Sequence, residues 1–231
     1  MLQSYQKPVD LILLPEMFTT GFLSTPGDIS LNMQDEAVTW LKSNAVNGHC
    51  SIAGSLIMHE NDNYYNRLMC AHPAAETDLY DKRHLFRMSG EDEYYARGTK
   101  RVISHINGWR VCWQICYDLR FPVWSRNRND YDVLVYVANW PAQRSDVWKA
   151  LLKARAIENQ SYVIGVNRVG KDGNDIEYIG ESSVIDPRGN LLNSLTTGDE
   201  KLISAELKYS SLLDFRKKFP VLQDGDNFTI A

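Results

Sequence analysis

Long apolar runs are missing from this sequence of 231 residues. No stretch approaches the roughly 20 consecutive apolar residues that a membrane-crossing helix needs. The segment 1–7 is polar and lacks the apolar core of a signal peptide. These absences predict a cytoplasmic protein that does not bind a membrane.

Cysteine is also scarce, and its four positions exclude a disulfide framework. Cys50 and Cys70 are isolated, whereas Cys112 and Cys116 are four residues apart. On one strand, four steps of about 3.3 Å would separate that pair by roughly 13 Å, which is beyond the reach of a disulfide. The five histidines form no HxH or HExxH motif, and no CxxC motif occurs. The sequence therefore predicts no metal site.

An excess of positive charge is absent as well, because the formal net charge is -4. This charge gives no electrostatic reason to expect a nucleic-acid partner. Hydrophobic residues make up 44% of the chain, which is typical of a globular protein with a buried core. Since no repeat, low-complexity tract or linker interrupts the sequence, we expect one domain over residues 1–231.

Short apolar runs and helical periodicity alternate along the chain, which predicts an α/β fold. The predicted strands are Val9–Leu14, Ser51–Met58, Gly108–Cys116, Val133–Ala138 and Tyr162–Val166. The predicted helices are Met33–Ser43 and Asp146–Gln160, and a turn is expected at Asp186–Asn190. In the second helix we expect Ser145 to be the N-cap. Its buried stripe would consist of Val147, Leu151, Ala154 and Ile157.

Three reactive side chains stand where a predicted strand gives way to a loop. They are Glu16 in LLPEMF, Lys82 in YDKRH and Cys116 in QICYDLRFP. Such positions suit catalysis, because the strand holds the backbone while the loop leaves room for a ligand.

The ordered set of these three motifs resembles the signature of the nitrilase, or carbon–nitrogen hydrolase, superfamily. The separations of 66 residues from Glu16 to Lys82 and 34 residues from Lys82 to Cys116 also fit that family. The resemblance extends over residues 9–228, and several stretches are similar to its omega-amidase-like bacterial branch. These stretches are LPEMFTTG at 14–21, FRMSGEDEYYARG at 86–98, NWPAQR at 139–144 and ARAIENQSYVIGVNR at 154–168.

The resemblance implies a role for each of four residues. Cys116 matches the nucleophile, Glu16 the general base and Lys82 the cation that stabilises the oxyanion. Glu91 matches a second glutamate that supports the site, and Glu93 is a weaker match for that role. Taken alone, Cys116 would more often be a small buried hydrophobe, and Lys82 a solvated surface charge.

Amide hydrolysis needs these types of residue. A cysteine thiol is mostly protonated at neutral pH, so a neighbouring carboxylate must accept its proton before the sulfur can attack. That carboxylate then returns the proton to nitrogen so that ammonia can leave. The oxyanion needs donors, for which we expect Lys82 and the backbone N–H of Tyr117.

Other residues near the motifs could have either a structural role or a role in binding the substrate. Asp118 and Arg120 are expected to form an ion pair or a hydrogen-bonded scaffold. Trp140 and Arg144 are candidates for substrate contact, with packing or a dimer surface as the alternative for the tryptophan. An anionic end of the substrate would need a further cation, for which Arg144 and Arg87 are both candidates.

For the whole molecule, the resemblance implies a four-layer α-β-β-α sandwich that dimerises through a helical face. Only 15 residues precede Glu16, so the family's usual first strand and helix are expected to be missing or shortened. The implied reaction is hydrolysis of a small carboxamide, such as the omega-amide 2-oxoglutaramate, without metal or organic cofactor. The alternatives are another amide or an N-carbamoyl substrate, or a non-catalytic binding or assembly subunit.

Overall fold

The computed structural model of the protein describes residues 8–27, 31–193 and 197–230. These ranges contain eleven β-strands and five α-helices. The strands are β1 Leu11–Leu13, β2 Ser51–Glu60, β3 Asn63–Ala71, β4 Thr77–Asp81, β5 Ile103–Ile106, β6 Trp109–Ile115, β7 Val133–Ala138, β8 Tyr162–Asn167, β9 Val169–Lys171, β10 Glu177–Ile179 and β11 Ser183–Ile185. The helices are α1 Leu31–Gly48, α2 Glu91–Tyr94, α3 Pro122–Ser125, α4 Ser145–Asn159 and α5 Tyr209–Lys218.

Two mixed sheets organise these elements. The first has the order β1-β2-β3-β4, with β1 parallel to β2 and the remaining pairs antiparallel. The second has the order β11-β8-β7-β6-β5, with β6, β7 and β8 parallel to one another. Strands β9 and β10 form a separate antiparallel pair.

The buried apolar residues separate into layers that define a sandwich. One group lies between the two sheets and includes Leu68 of β3 with Trp113 of β6. A second group lies between the second sheet and α4, where Trp148 and Leu152 are buried. A third packs α1 on the first sheet through residues such as Leu41. The order of layers is therefore α1, first sheet, second sheet and α4, which confirms the predicted α-β-β-α architecture.

The five predicted strands all correspond to strands of the structure, and no end differs by more than two residues. The predicted turn at Asp186–Asn190 is also present, since the Gly189 N–H donates to the Asp186 carbonyl oxygen and Ile185 bridges to Leu191. The long runs in β7 and β8 were readily identified because both faces of these strands are covered.

The predicted buried stripe of α4 is right only in part. Val147 and Leu151 are half-buried and pack against the core, but Ala154 is exposed and Ile157 is 48% exposed. The fully buried positions are Trp148, Leu152 and Ala156, so the centre of the stripe is displaced. The displacement arises because the inner face includes Arg155, whose Nη2 donates to the Leu119 carbonyl oxygen. Ser145 is not the N-cap either: the helix begins at this residue, and its hydroxyl contacts Glu181 instead.

Within the described ranges, β1 is an edge of the first sheet. The family's usual first strand and helix, which were expected to be missing or shortened, would precede residue 8 and lie outside the described residues. No helix in the described part of the chain is long and apolar enough to span a bilayer.

Candidate active site

Cys116 lies at the carboxyl end of β6, where the strand turns into a short 3-10 helix over residues 116–120. Its backbone adopts φ of 43°, a left-handed conformation that is uncommon for a residue with a side chain. Such strain is found where surrounding contacts hold a residue for function. As a whole residue Cys116 is half-buried, and its Sγ lies 3.8 Å from the carbonyl oxygen of Asn139, just after the neighbouring parallel strand β7.

Glu16 follows β1 and its side chain is fully buried. One carboxylate oxygen, Oε1, accepts from Lys82 Nζ at 3.0 Å and from Asn66 Nδ2 at 2.8 Å. The other, Oε2, accepts from the backbone N–H of Asn139 at 2.8 Å. These donors hold the buried carboxyl group in a fixed position between the two sheets.

Lys82 leaves β4 directly into the same cluster and is 1% exposed. Its Nζ donates to both oxygens of Glu91 at 2.9 Å. Glu91 begins α2 and also accepts from the Phe86 N–H at 2.6 Å. Glu93 is exposed, so of the two glutamates considered for this place the structure brings only Glu91 into the cluster.

The electrostatics of the cluster act in opposite directions on the cation and the thiol. Burial by itself lowers the pKa of Lys82, but the charges of Glu16 and Glu91 outweigh this effect and raise it, so the ammonium is kept. Burial raises the pKa of the Cys116 thiol well above its ordinary value, and Glu16 raises it further while Lys82 opposes. The resting sulfur is therefore protonated at neutral pH and needs a base at the moment of attack.

Asp118 holds the turn that carries Cys116. Its Oδ2 accepts from the Ile115 N–H at 3.0 Å and from the Tyr80 hydroxyl at 2.7 Å, and its Oδ1 accepts from the His84 N–H at 2.9 Å. Tyr80 belongs to the first sheet, so this buried carboxylate joins the two sheets beside the thiol. The hydrogen-bonded scaffold expected for Asp118 is present. Arg120 does not pair with it and lies over the Trp140 ring instead, 5.2 Å from the centroid.

Two asparagines of the cluster were missed by sequence reasoning. Asn66, on β3, donates to Glu16 and is itself held by the Ser55 hydroxyl, which donates to Asn66 Oδ1 at 2.9 Å. Asn139 donates through Nδ2 to the backbone oxygen of Glu16 at 2.8 Å. No local pattern marks Asn66, whereas Asn139 stands in the NWPAQR stretch, directly after a long apolar strand.

The residues predicted to contact substrate border the cluster. The Tyr117 ring packs edge-on against Phe86, with centroids 5.0 Å apart, and the Arg144 guanidinium lies 5.6 Å from the centroid of the same ring. The Trp140 indole is 4% exposed and packs against Trp148, which favours the packing alternative for its side chain. Arg87 is 86% exposed and pairs with Asp92 at 3.1 Å.

This arrangement can perform thiol chemistry with proton transfer. A thiol, a carboxylate that faces it and a permanent cation meet at one point, which is the set that nucleophilic attack on a carbonyl requires. In the described ranges, no group of three or more histidine, cysteine, aspartate and glutamate side chains is placed to hold a metal ion.

Comparison with known proteins agrees with this chemistry. Residues 2–217 match the model of the family described as carbon-nitrogen hydrolase. The chain is 49% identical to the omega-amidase YafV of Escherichia coli K12 over 96% of its own length and 86% of the relative. It is 34% identical to the 2-oxoglutaramate amidase of Bacillus subtilis, over 96% of the chain and 87% of that protein.

A solved structure shows the same fold. XC1258 from Xanthomonas campestris is described as a CN-hydrolase superfamily protein with an arsenic adduct in the active site. It superposes with a TM-score of 0.86 at 39% identity, covering 96% of this chain and 86% of that one.

Proposed function

The chain belongs to the carbon-nitrogen hydrolase family and is an amide-hydrolysing enzyme, and we propose that it cleaves the omega-amide of a 2-oxo acid such as 2-oxoglutaramate. The observation that carries the proposal is the buried cluster of Glu16, Lys82 and Glu91 next to the thiol of Cys116. The relatives named omega-amidase and 2-oxoglutaramate amidase support the substrate class.

In the proposed reaction, Glu16 accepts the thiol proton as the sulfur of Cys116 attacks the amide carbon. The oxyanion that forms is stabilised by the ammonium of Lys82 and the backbone N–H of Tyr117. Glu16 then gives the proton to the amide nitrogen and the carbon–nitrogen bond breaks. Ammonia departs, and the acyl group remains on Cys116 as a thioester. Water, deprotonated by Glu16, hydrolyses the thioester to the acid and restores the thiol.

The two glutamates have different surroundings, which supports different roles. Glu91 receives both a bidentate contact from Lys82 and the Phe86 N–H, so its lone pairs are engaged away from the thiol. Glu16 shares the same cation and acts electrostatically on the sulfur. We therefore assign proton transfer to Glu16 and the orientation of Lys82 to Glu91.

Ammonia release from 2-oxoglutaramate tests the proposal. We expect turnover by the wild-type protein and none above background by Cys116→Ala, with Cys70→Ala as the control for loss of a buried cysteine. If the protein hydrolysed another amide or an N-carbamoyl compound but not 2-oxoglutaramate, that compound would represent its substrate class. If a folded protein hydrolysed none of them, the alternative of a non-catalytic binding or assembly subunit would be favoured.

We further propose a cytoplasmic homodimer that contacts through a helical face. All four cysteines are free thiols, which suits a reducing compartment. Exposed apolar side chains on two helices, Ile157 of α4 and Leu213 of α5, support a contact surface there. Light scattering after gel filtration is expected to give twice the mass of the chain.

A further inference from the structure

A cavity of about 390 Å³ lies beside the catalytic cluster. One wall is the segment 20–23, which continues the loop that carries Glu16, and the other is Arg168 with the segment 171–174. Phe22 connects the cavity to the cluster, because its ring centroid is 5.4 Å from Lys82 Nζ. The volume is within the usual range for a site that holds a small molecule.

Tyr178, on β10, packs against Arg168. The Arg168 guanidinium lies 4.8 Å from the centroid of the Tyr178 ring. Burial raises the pKa of the Tyr178 hydroxyl and Asp172 raises it further, while the charge of Arg168 opposes the rise. The tyrosine therefore helps to hold the guanidinium at the wall of the cavity.

The Arg168 guanidinium lines the cavity and donates to backbone oxygens. Its Nη2 donates to the Lys171 carbonyl oxygen at 3.1 Å and its Nε to the Val169 carbonyl oxygen at 3.5 Å. Among the residues that the structure describes, no carboxylate lies within 4.0 Å of the guanidinium. Its Nη1 faces the opposite wall, since a Cβ built on Gly21 would lie 2.6 Å from that nitrogen.

The other charges of the cavity are already engaged. Asp172 accepts from the Tyr178 hydroxyl at 2.9 Å and from the N–H groups of Asn174 and Ile176 at 2.9 and 3.0 Å. Lys171 is 64% exposed and pairs with Asp175 at 3.9 Å. Burial alone would raise the pKa of Asp172, but its hydrogen bonds and the charge of Arg168 lower it. Among the described residues, Arg168 is thus a lining cation without a direct carboxylate contact, and an anion entering this space would meet it.

We propose that Arg168 binds the carboxylate at the far end of the substrate, so that the site selects amides carrying an acid group over neutral amides. The inference rests on the proposed amidase function and names the group that recognises the acid end. A guanidinium suits this task, because its planar donors match the two oxygens of a carboxylate. For this role we prefer Arg168 to Arg144 and Arg87, the two cations that the sequence suggested.

The test compares two substrates that differ only at this end. 2-Oxoglutaramate carries the carboxylate, and 4-oxopentanamide has a methyl group in its place. For Arg168→Gln we expect kcat/KM to fall about 100-fold more on 2-oxoglutaramate than on 4-oxopentanamide, mainly through KM, because the lost contact acts equally in ground and transition states. Arg128→Gln is the matched control, since this exposed arginine lies over Phe228 at the opposite end of the second sheet.

The outcomes separate the two proposals. An unchanged ratio in Arg168→Gln, or a charge-selective loss in Arg144→Gln alone, would overturn the assignment of Arg168. If the wild-type protein hydrolyses neither substrate, the proposed function fails and calorimetric binding of 2-oxoglutarate decides the role of Arg168. In that measurement, at least tenfold weaker binding by Arg168→Gln supports the assignment, and equal or absent binding overturns it.

Discussion

The carboxylate of Glu16 lies between three hydrogen-bond donors and the thiol of Cys116. Lys82, Asn66 and Asn139 donate to its oxygens, while its charge raises the pKa of the Cys116 thiol. The resting pair is therefore a carboxylate with a thiol, and proton transfer accompanies attack on the substrate. This state protects the sulfur from chance alkylation and oxidation, which require the thiolate.

Glu16→Gln should separate reactivity of the sulfur from catalysis. Removing the negative charge lowers the pKa of Cys116 towards its ordinary value, so alkylation by iodoacetamide should reach its plateau at lower pH than in the wild type. Amide hydrolysis should fall by about 10²- to 10⁴-fold, because the base is lost. Alkylation rates across a pH series, together with kcat/KM, measure both effects.

Glu93→Gln is the control for that experiment, since Glu93 is an exposed glutamate in the same segment as Glu91. Glu93→Gln should change neither the pH dependence of alkylation nor kcat/KM. A Glu16→Gln protein whose alkylation profile moves to higher pH would contradict the electrostatic role given to Glu16.

Lys82→Met should leave two buried carboxylates without their shared cation. Breaking such a buried pair costs about 3–5 kcal/mol of folding free energy. Urea unfolding of the variant and the wild type measures the loss. A change of only about 0–1 kcal/mol, as for an exposed ion pair, would contradict the stabilising role of the shared cation.

At the scale of elements, the position of Lys82 depends on a close backbone approach between β4 and residue 98. The Gly98 N–H donates to the Lys82 carbonyl oxygen at 2.9 Å, and a Cβ at Gly98 would lie 2.0 Å from the carbonyl oxygen of Asp81. No side chain fits there unless the end of β4 moves.

Gly98→Ala should therefore impair catalysis without touching a reactive group. We expect a loss of about 1–3 kcal/mol in stability, as for other overpacked sites, and at least a tenfold loss in kcat. Gly225→Ala is the control, because a Cβ built there would meet only the Leu222 carbonyl oxygen at 3.5 Å and Arg126 Nη2 at 3.6 Å, which are ordinary packing distances. Full activity in Gly98→Ala would show that Lys82 tolerates displacement.

Elements of this fold were predictable where one physical signal dominated. The apolar runs of β7 and β8 are buried on both faces, and the three motif residues stand at strand ends. The inner face of α4 was misassigned because Arg155 and Asn159 are buried there through hydrogen bonds, which periodicity of apolar residues cannot detect. Asn66 joins the site through contacts distant in sequence, so no local pattern could reveal it.

At the scale of the whole molecule, the site lies where the two sheets meet, and Asp118 joins them. Asp118→Asn replaces a buried acceptor of several hydrogen bonds with a group that also carries donors. We expect a loss of about 2–4 kcal/mol in the free energy of unfolding, together with reduced activity as the Cys116 turn loosens. Denaturant unfolding followed by tryptophan fluorescence measures the loss.

The neighbouring charge provides the comparison for Asp118. Arg120 is exposed, so Arg120→Gln should change the free energy of unfolding by no more than about 0.5 kcal/mol. If Asp118→Asn changed the free energy of unfolding as little as Arg120→Gln, contacts other than those of Asp118 would have to hold the two sheets together.

The proposed reaction requires a covalent bond between the substrate and Cys116. Intact-mass spectrometry of protein quenched during turnover of 2-oxoglutaramate tests it directly. We predict a species heavier by one acyl group in the wild type, with the added mass on the peptide that contains Cys116, and no such species in Cys116→Ala. Turnover that proceeds at full rate in Cys116→Ala, or an adduct located on another cysteine, would contradict the account.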